Sequence, residues 1–70
     1  MSAELAITVN GEAMRLPAGA SVADLLARLK VSTPRVAVER NREILPKSQY
    51  PGTPLANGDI FEVVELVGGG

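Results

Sequence analysis

The sequence predicts an α+β fold in which four to five strands form one mixed sheet and one main helix packs on one face of it. Three observations predict this class: a hairpin signal in the first 17 residues, one amphipathic helical segment after it, and a long apolar segment near the end. The 70 residues suit one small domain. We expect it to occupy residues 1–67, followed by a flexible glycine tail at residues 68–70.

The first element is a β-hairpin. Residues 5–9 and 12–16 alternate apolar with polar or small side chains, as half-buried strands do. Asn10-Gly11 between them is typical of the type I′ turn, whose two central positions need positive φ. Pro17 ends the second strand because its nitrogen cannot donate a ladder hydrogen bond.

One helix follows the hairpin. Ser21 and Asp24 have the spacing of a capping box, in which the side chains satisfy backbone N–H groups at the helix start. We expect about ten helical residues, too few to be stable alone and therefore packed on the sheet. The apolar residues recur at helical spacing and predict a buried face: Val22, Leu25, Leu26 and Leu29.

The second half of the chain supplies the remaining strands. Residues 35–39 and 43–45 predict a strand and a short return strand, joined by a turn. Arg40 and Arg42 are expected to be solvated there, and the alternative is a salt bridge to an acidic enzyme surface. A loop rich in proline follows, and Asp59 is expected to order the tight turn that begins at Asn57-Gly58. Residues 60–67 are apolar on both faces, as in a central strand. If this strand lies beside the first one, the arrangement is a β-grasp, or ubiquitin-like, fold.

Composition excludes several classes of function. Without cysteine or histidine the chain has no thiolate nucleophile, no disulfide and neither of the usual side chains for a zinc site, so we expect no metal site and neither a self-contained hydrolase nor a zinc enzyme. A net charge of −1 and only Tyr50 and Phe61 as aromatic residues argue against a nucleic-acid partner. No apolar run could span a membrane and no signal peptide is visible, so we expect a cytoplasmic protein without a membrane partner.

The charges are uneven along the chain. Residues 28–47 contain six basic and two acidic side chains, whereas residues 59–70 contain three acidic side chains and no basic one. Two interpretations stay open: ordinary surface scatter, or an acidic segment attracted to a basic cleft on a partner.

The end of the sequence carries the most specific signal. Three of the seven glycines are the last three residues, in the run Val67-Gly68-Gly69-Gly70. Glycine stabilises neither helix nor strand, but it lacks Cβ and can enter a narrow channel. The four residues reach at most about 13–14 Å when extended. The α-carboxylate of Gly70 is the candidate group for covalent modification, Gly68 and Gly69 are the candidate channel-threading residues, and a frayed terminus is the alternative.

An apolar docking patch is a second candidate site. Phe61, Leu66 and Val67 would form it if they are exposed together on the sheet. The alternative places Phe61 in the core.

Three stretches of the sequence are the most specific: Val36-Ala37-Val38-Glu39-Arg40-Asn41, Pro46-Lys47-Ser48 and Val67-Gly68-Gly69-Gly70. With them, the chain resembles the ThiS-type sulfur carrier proteins of thiamine biosynthesis. The match covers nearly the whole chain after Glu4, and Tyr50 stands where that family often has tryptophan.

The resemblance implies a β-grasp carrier that catalyses nothing and binds no cofactor itself. A ThiF-type enzyme would adenylate Gly70, using ATP and magnesium that belong to that enzyme. Sulfur from cysteine, supplied through a desulfurase, would then leave a thiocarboxylate. This group would give its sulfur to a ThiG-type thiazole synthase for the thiazole ring of thiamine.

Two alternatives remain at this stage. One is the small subunit of molybdopterin synthase, a family that usually has an aromatic-proline run before its terminal glycines, where this chain has Glu65-Leu66-Val67. The other is a ubiquitin-like module that binds a partner without covalent chemistry and does not use the tail.

Overall fold

The computed structural model describes residues 3–31 and 33–66. Within them, one α-helix and five strands occur, and the strands form a single mixed sheet. The predicted tail, Gly68 to Gly70, and Val67 before it lie outside the described residues. The elements are β1 (Glu4–Val9), β2 (Glu12–Pro17), α1 (Val22–Leu29), β3 (Val36–Arg40), β4 (Glu43–Leu45) and β5 (Ile60–Glu65).

The last strand lies in the middle of the sheet. The strand order is β2-β1-β5-β3-β4. β5 is parallel to β1 and antiparallel to β3, and the pairs β1–β2 and β3–β4 are antiparallel hairpins. The first and last strands are therefore neighbours, and the predicted β-grasp arrangement of five strands and one helix is confirmed.

The helix begins with the predicted capping box. The Ser21 hydroxyl accepts a hydrogen bond from the Asp24 N–H at 3.2 Å, and the Asp24 carboxylate accepts one from the Ser21 N–H at 2.8 Å. The helix has eight residues rather than about ten. It ends early because Lys30 adopts a left-handed conformation with φ +61°, and its N–H donates to the carbonyl of Ala27.

Two short 3₁₀ turns, at Thr33–Arg35 and Lys47–Gln49, were not predicted. The first one replaces the expected strand start at Arg35. The Lys47 ammonium donates to the carbonyl of Pro34 at 2.8 Å, which ties the two turns together.

The core lies between α1 and one face of the sheet. It includes Phe61 and three of the four predicted helix residues, with Leu29 half-buried at its margin. The long loop before β5 is hydrogen-bonded to the start of the helix: the N–H of Ala23 donates to the carbonyl of Tyr50 at 3.1 Å, and that of Leu55 to the carbonyl of Ala20 at 2.8 Å. These bonds bury Tyr50 and cover the end of the core next to the helix N-terminus.

Candidate functional site

The candidate site is the end of β5, since this strand leads into the glycine run. β5 pairs with β1 over two residue positions and with β3 over five. Just beyond the strand, the N–H of Leu66 donates to the carbonyl of Arg35 at 2.6 Å. The chain is therefore held against the sheet up to one residue before Val67.

A buried carboxylate secures the start of β5. Asp59 Oδ2 accepts hydrogen bonds from Arg40 Nε at 3.0 Å and from the Ala56 N–H at 2.9 Å. Its Oδ1 accepts one from Asn41 Nδ2 at 3.1 Å. The bond from Ala56 lies within the turn before β5, so the prediction that Asp59 orders its turn is confirmed. The bonds from Arg40 and Asn41 also join this turn to the end of β3 and the turn after it.

The same contacts lower the pKa of Asp59. Burial is the largest single influence and raises the pKa of this carboxyl, but it is outweighed by the hydrogen bonds from Ala56, Asn41 and Arg40 and by the charge of Arg40. The pKa of Asp59 therefore lies below its ordinary value. The expectation that Arg40 is solvated is wrong because its side chain pairs with this carboxylate, whereas Arg42 is exposed as predicted.

Asn41 gives β5 a further support at its first residue. The backbone of Asn41 has φ +52°, which a turn residue of this type tolerates. Its N–H donates to the carbonyl of Ile60 at 2.7 Å, and its Oδ1 accepts from the N–H of Ile60 at 2.9 Å. One asparagine thus bonds both backbone groups of Ile60 on the β3 side.

The face of the sheet that points away from α1 carries exposed apolar side chains. Along β5 and its continuation, every second residue points outward: Ile60 (55% exposed), Glu62, Val64 (55%) and Leu66 (50%). Ile44 of β4 lies on the same face and is 78% exposed. We call Ile44, Ile60, Val64 and Leu66 the outer apolar face.

Two carboxylates lie within the outer apolar face. Glu39 of β3 is directly opposite Glu62 of β5, and both are exposed. Neither forms a salt bridge within the described part of the chain. Like charges opposite each other on neighbouring strands are destabilising, so the fold itself gains nothing from this pair. The face is therefore apolar with an acidic centre.

The predicted docking patch is corrected in part. The docking role of Phe61 is wrong, since its side chain points into the core and is 0% exposed. Leu66 is exposed as predicted, and Val67 lies outside the described residues, as do Gly68, Gly69 and Gly70. Sequence reasoning missed Ile60 and Val64, although the period-two alternation from Leu66 backwards could have found both.

No set of metal ligands forms in the described residues: no three acidic side chains converge there, and the chain has no histidine or cysteine. Among residues 3–31 and 33–66, no helix has the length and apolarity needed to cross a membrane.

Comparison with known proteins identifies the family. The sequence model of the ThiS family matches residues 7–70. The chain belongs to the ThiS family. The resemblance found in residues 36–41 and in the glycine end is thereby confirmed at the level of the family.

Individual relatives agree with this assignment. The chain is 42% identical to the sulfur carrier protein ThiS of Bacillus subtilis over 50 residues, which are 71% of this chain and 76% of that protein. It is 44% identical to a thiazole synthase of Paramagnetospirillum magneticum over 64 residues, which are 91% of this chain but 20% of that protein. The chain thus spans only about a fifth of the length of this second relative.

A solved structure also matches the fold. The crystal structure of the thiamine biosynthesis protein ThiS from Geobacter metallireducens superimposes with a TM-score of 0.79 at 33% identity. The match covers 94% of this chain and 100% of that one. The β-grasp arrangement is therefore that of a solved ThiS.

Proposed function

We propose that this chain is a sulfur carrier for thiamine biosynthesis and that the α-carboxylate of Gly70 carries the sulfur. The observation that supports this most strongly is the run Gly68-Gly69-Gly70, which begins three residues after the end of the central strand β5, in a member of the ThiS family. The names of two relatives, a sulfur carrier protein and a thiazole synthase, support the same pathway.

The chemistry needs only a free carboxylate at the end of the tail. With an ordinary pKa of about 3.3–3.7 this group is ionised at neutral pH. A carboxylate oxygen attacks the α-phosphorus of ATP, and pyrophosphate leaves. Sulfide that attacks the acyl carbon expels AMP and leaves the thiocarboxylate directly. Where cysteine sulfur arrives instead as the persulfide of a desulfurase, the attack expels AMP and gives an acyl disulfide, whose S–S bond a thiol reductant then cleaves to leave the thiocarboxylate. ATP and magnesium belong to the ThiF-type activating enzyme.

The folded body brings the tail to its enzymes. We propose that the outer apolar face docks on the activating enzyme and on a ThiG-type thiazole synthase, while the glycines enter the active site. Exposed apolar area next to the start of the tail provides the contact, and Glu39 and Glu62 favour a partner surface with basic residues. Because ATP and reduced sulfur are consumed, we place the reaction in the cytoplasm.

The test is a charging reaction followed by intact mass measurement. The protein is incubated with its activating enzyme, ATP, magnesium and sulfide. We expect the mass change of one oxygen replaced by sulfur, located in the C-terminal peptide by fragmentation, and loss of this change when Gly69 and Gly70 are deleted. An unchanged mass, with undiminished partner binding after that deletion, would instead indicate a non-covalent module.

A second reaction separates the two pathways. The charged carrier should support thiazole formation by thiazole synthase and should fail with the large subunit of molybdopterin synthase. If the charged carrier transferred sulfur to the molybdopterin precursor and not to the thiazole precursor, the chain would be assigned to molybdopterin synthesis instead.

A further inference from the structure

The pairing between β1 and β5 ends before β5 does. The N–H of Thr8 donates to the carbonyl of Asp59 at 2.9 Å, and the N–H of Asn10 donates to that of Phe61 at 2.9 Å. After Asn10 the chain turns through Gly11 into β2. A continued parallel ladder would next use the carbonyl of residue 10 and the N–H of residue 12, and the turn removes both from this edge of β5.

The side-chain amide of Asn10 occupies these two places. Its Oδ1 accepts a hydrogen bond from the N–H of Val63 at 2.8 Å, and its Nδ2 donates to the carbonyl of Val63 at 3.0 Å. A carboxamide presents the same donor and acceptor as a peptide group. It therefore extends the ladder along β5 to Val63, beyond the last backbone pair between β1 and β5, at Phe61.

This contact lies on the path to the tail. On the β3 side, backbone pairing continues to Glu65, and Leu66 bonds to Arg35. On the β1 side, the hydrogen bonds that β5 forms beyond Phe61 within the described residues come from the side-chain amide of Asn10. Without it, the last part of β5 would be held along one edge only.

We propose that Asn10 is a positioning residue for the modification of Gly70. Its amide holds the final half of β5 against the sheet, so that the glycine run starts from a fixed point relative to the outer apolar face. The inference rests on the proposed function, and it adds a role for a residue distant from Gly70 in sequence. Small errors of placement at a reacting group reduce rates strongly, by up to about a hundredfold for an error of about 1 Å.

Turn geometry alone does not explain this asparagine. Asn10 has φ +51°, and glycine adopts that conformation without strain. Asn10→Gly therefore keeps the turn and removes both side-chain bonds to Val63. Asn41→Gly is a matched control, because Asn41 also has a positive φ (+52°) and also bonds the backbone of β5, but at Ile60, the end far from the tail.

The test combines amide hydrogen exchange with charging kinetics on the full-length chain. In Asn10→Gly we expect protection of the Val63 and Leu66 amides to fall at least about tenfold. We expect kcat for adenylation by the activating enzyme to fall about tenfold, with KM unchanged because the outer apolar face is intact. Asn41→Gly should lower protection at Ile60 and leave protection of Leu66 and kcat unchanged.

Three results would overturn the proposal: unchanged Leu66 protection in Asn10→Gly, an unchanged kcat for that variant, or equal kinetic losses in both variants. Melting temperatures of both variants show that each is folded in the assay. A wild-type chain that is never adenylated overturns the proposed function, and with it the purpose assigned to Asn10. In that case the exchange data still report whether the amide holds β5.

Discussion

Asp59 connects the turn before β5 to residues 19 and 18 positions earlier in the chain, Arg40 and Asn41. A turn role for Asp59 could be predicted because Asn57-Gly58 precedes it directly. The partnership with Arg40 could not, because the two residues meet only after β3 and β5 have paired. Sequence patterns report neighbours within a turn, and the ion pair depends on the order of strands in the sheet.

The lowered pKa of Asp59 predicts an acid-sensitive contribution to stability. Its carboxylate stabilises the fold at pH above its ordinary unfolded pKa of about 3.9. This contribution is lost as the pH falls through the lower folded pKa. Asp59→Asn should lower the free energy of unfolding at neutral pH by about 1.5–3 kcal/mol. In this variant the free energy of unfolding should also fall less steeply as the pH is lowered.

Urea unfolding at a series of pH values measures this prediction. Glu12→Gln, which removes an exposed carboxylate, is the control and should behave like the wild-type protein. A decline in acid as steep in Asp59→Asn as in the wild-type protein would show that Asp59 is not the responsible group.

Phe61 provides a second prediction at this scale. Because its side chain is fully buried, Phe61→Ala should lower the free energy of unfolding by about 3–5 kcal/mol. Leu66→Ala, at a half-exposed position, should change it by less than about 0.5 kcal/mol. Equal stabilities for the two variants would contradict the placement of Phe61 in the core.

At the scale of elements, local signals predicted the hairpin and the helix start correctly. The Asn10-Gly11 turn and the capping box of Ser21 and Asp24 each depend on residues no more than three positions apart. The helix end was placed too late, because Lys30 in a left-handed conformation has no sequence signal comparable to glycine. The 3₁₀ turn at Thr33–Arg35 was also missed. Its Pro34 carbonyl accepts a hydrogen bond from Lys47, a residue 13 positions later, and a local sequence pattern does not reveal such a contact.

The two faces of β5 are a harder problem for sequence reasoning. Both faces are apolar, so the pattern predicted a central strand without showing which face meets the helix. The register places Phe61 and Val63 inward and leaves Ile60, Val64 and Leu66 outward. Which face points inward depends on how β5 pairs with β3. For this reason the sequence placed Phe61 in the predicted docking patch, whereas the structure places the outer apolar face there.

The outer apolar face can be tested with one charged substitution. Val64→Arg places a cation where we propose that a basic partner surface docks, so Kd for the activating enzyme should rise at least about tenfold. Ala27→Arg is the control, since Ala27 is exposed and lies on α1, which covers the opposite face of the sheet.

Both variants should keep melting temperatures close to that of the wild-type protein, because neither position is buried. Partner affinity is measured by calorimetric titration. A Val64→Arg protein that binds as tightly as Ala27→Arg would place the docking surface elsewhere.

At the scale of the whole molecule, the fold separates a rigid body from the proposed site of chemistry. The central position of β5 was predicted from its two apolar faces, and the structure confirms it. The terminal glycines lie outside the described residues, so their role stays a prediction that depends on their composition and on the family.

The proposed channel-threading role predicts an unusual substitution pattern at Gly69. Gly69→Leu should leave the melting temperature unchanged and abolish adenylation, because a side chain at this position would block a channel that admits only a bare backbone. Thermal unfolding and ATP–pyrophosphate exchange measure the two effects. A marked loss of melting temperature would instead show that this residue is part of the folded body.

The central claim is that a free carboxylate on Gly70 is the group that accepts AMP and then sulfur. The most direct measurement compares two synthetic 70-residue chains, one ending in the Gly70 acid and one in the Gly70 amide, by intact mass after incubation with the activating enzyme, ATP and sulfide. We predict that the acid gains sulfur in place of oxygen and that the amide keeps its mass. Sulfur on the amide chain, or on any other residue of the acid chain, would contradict the account.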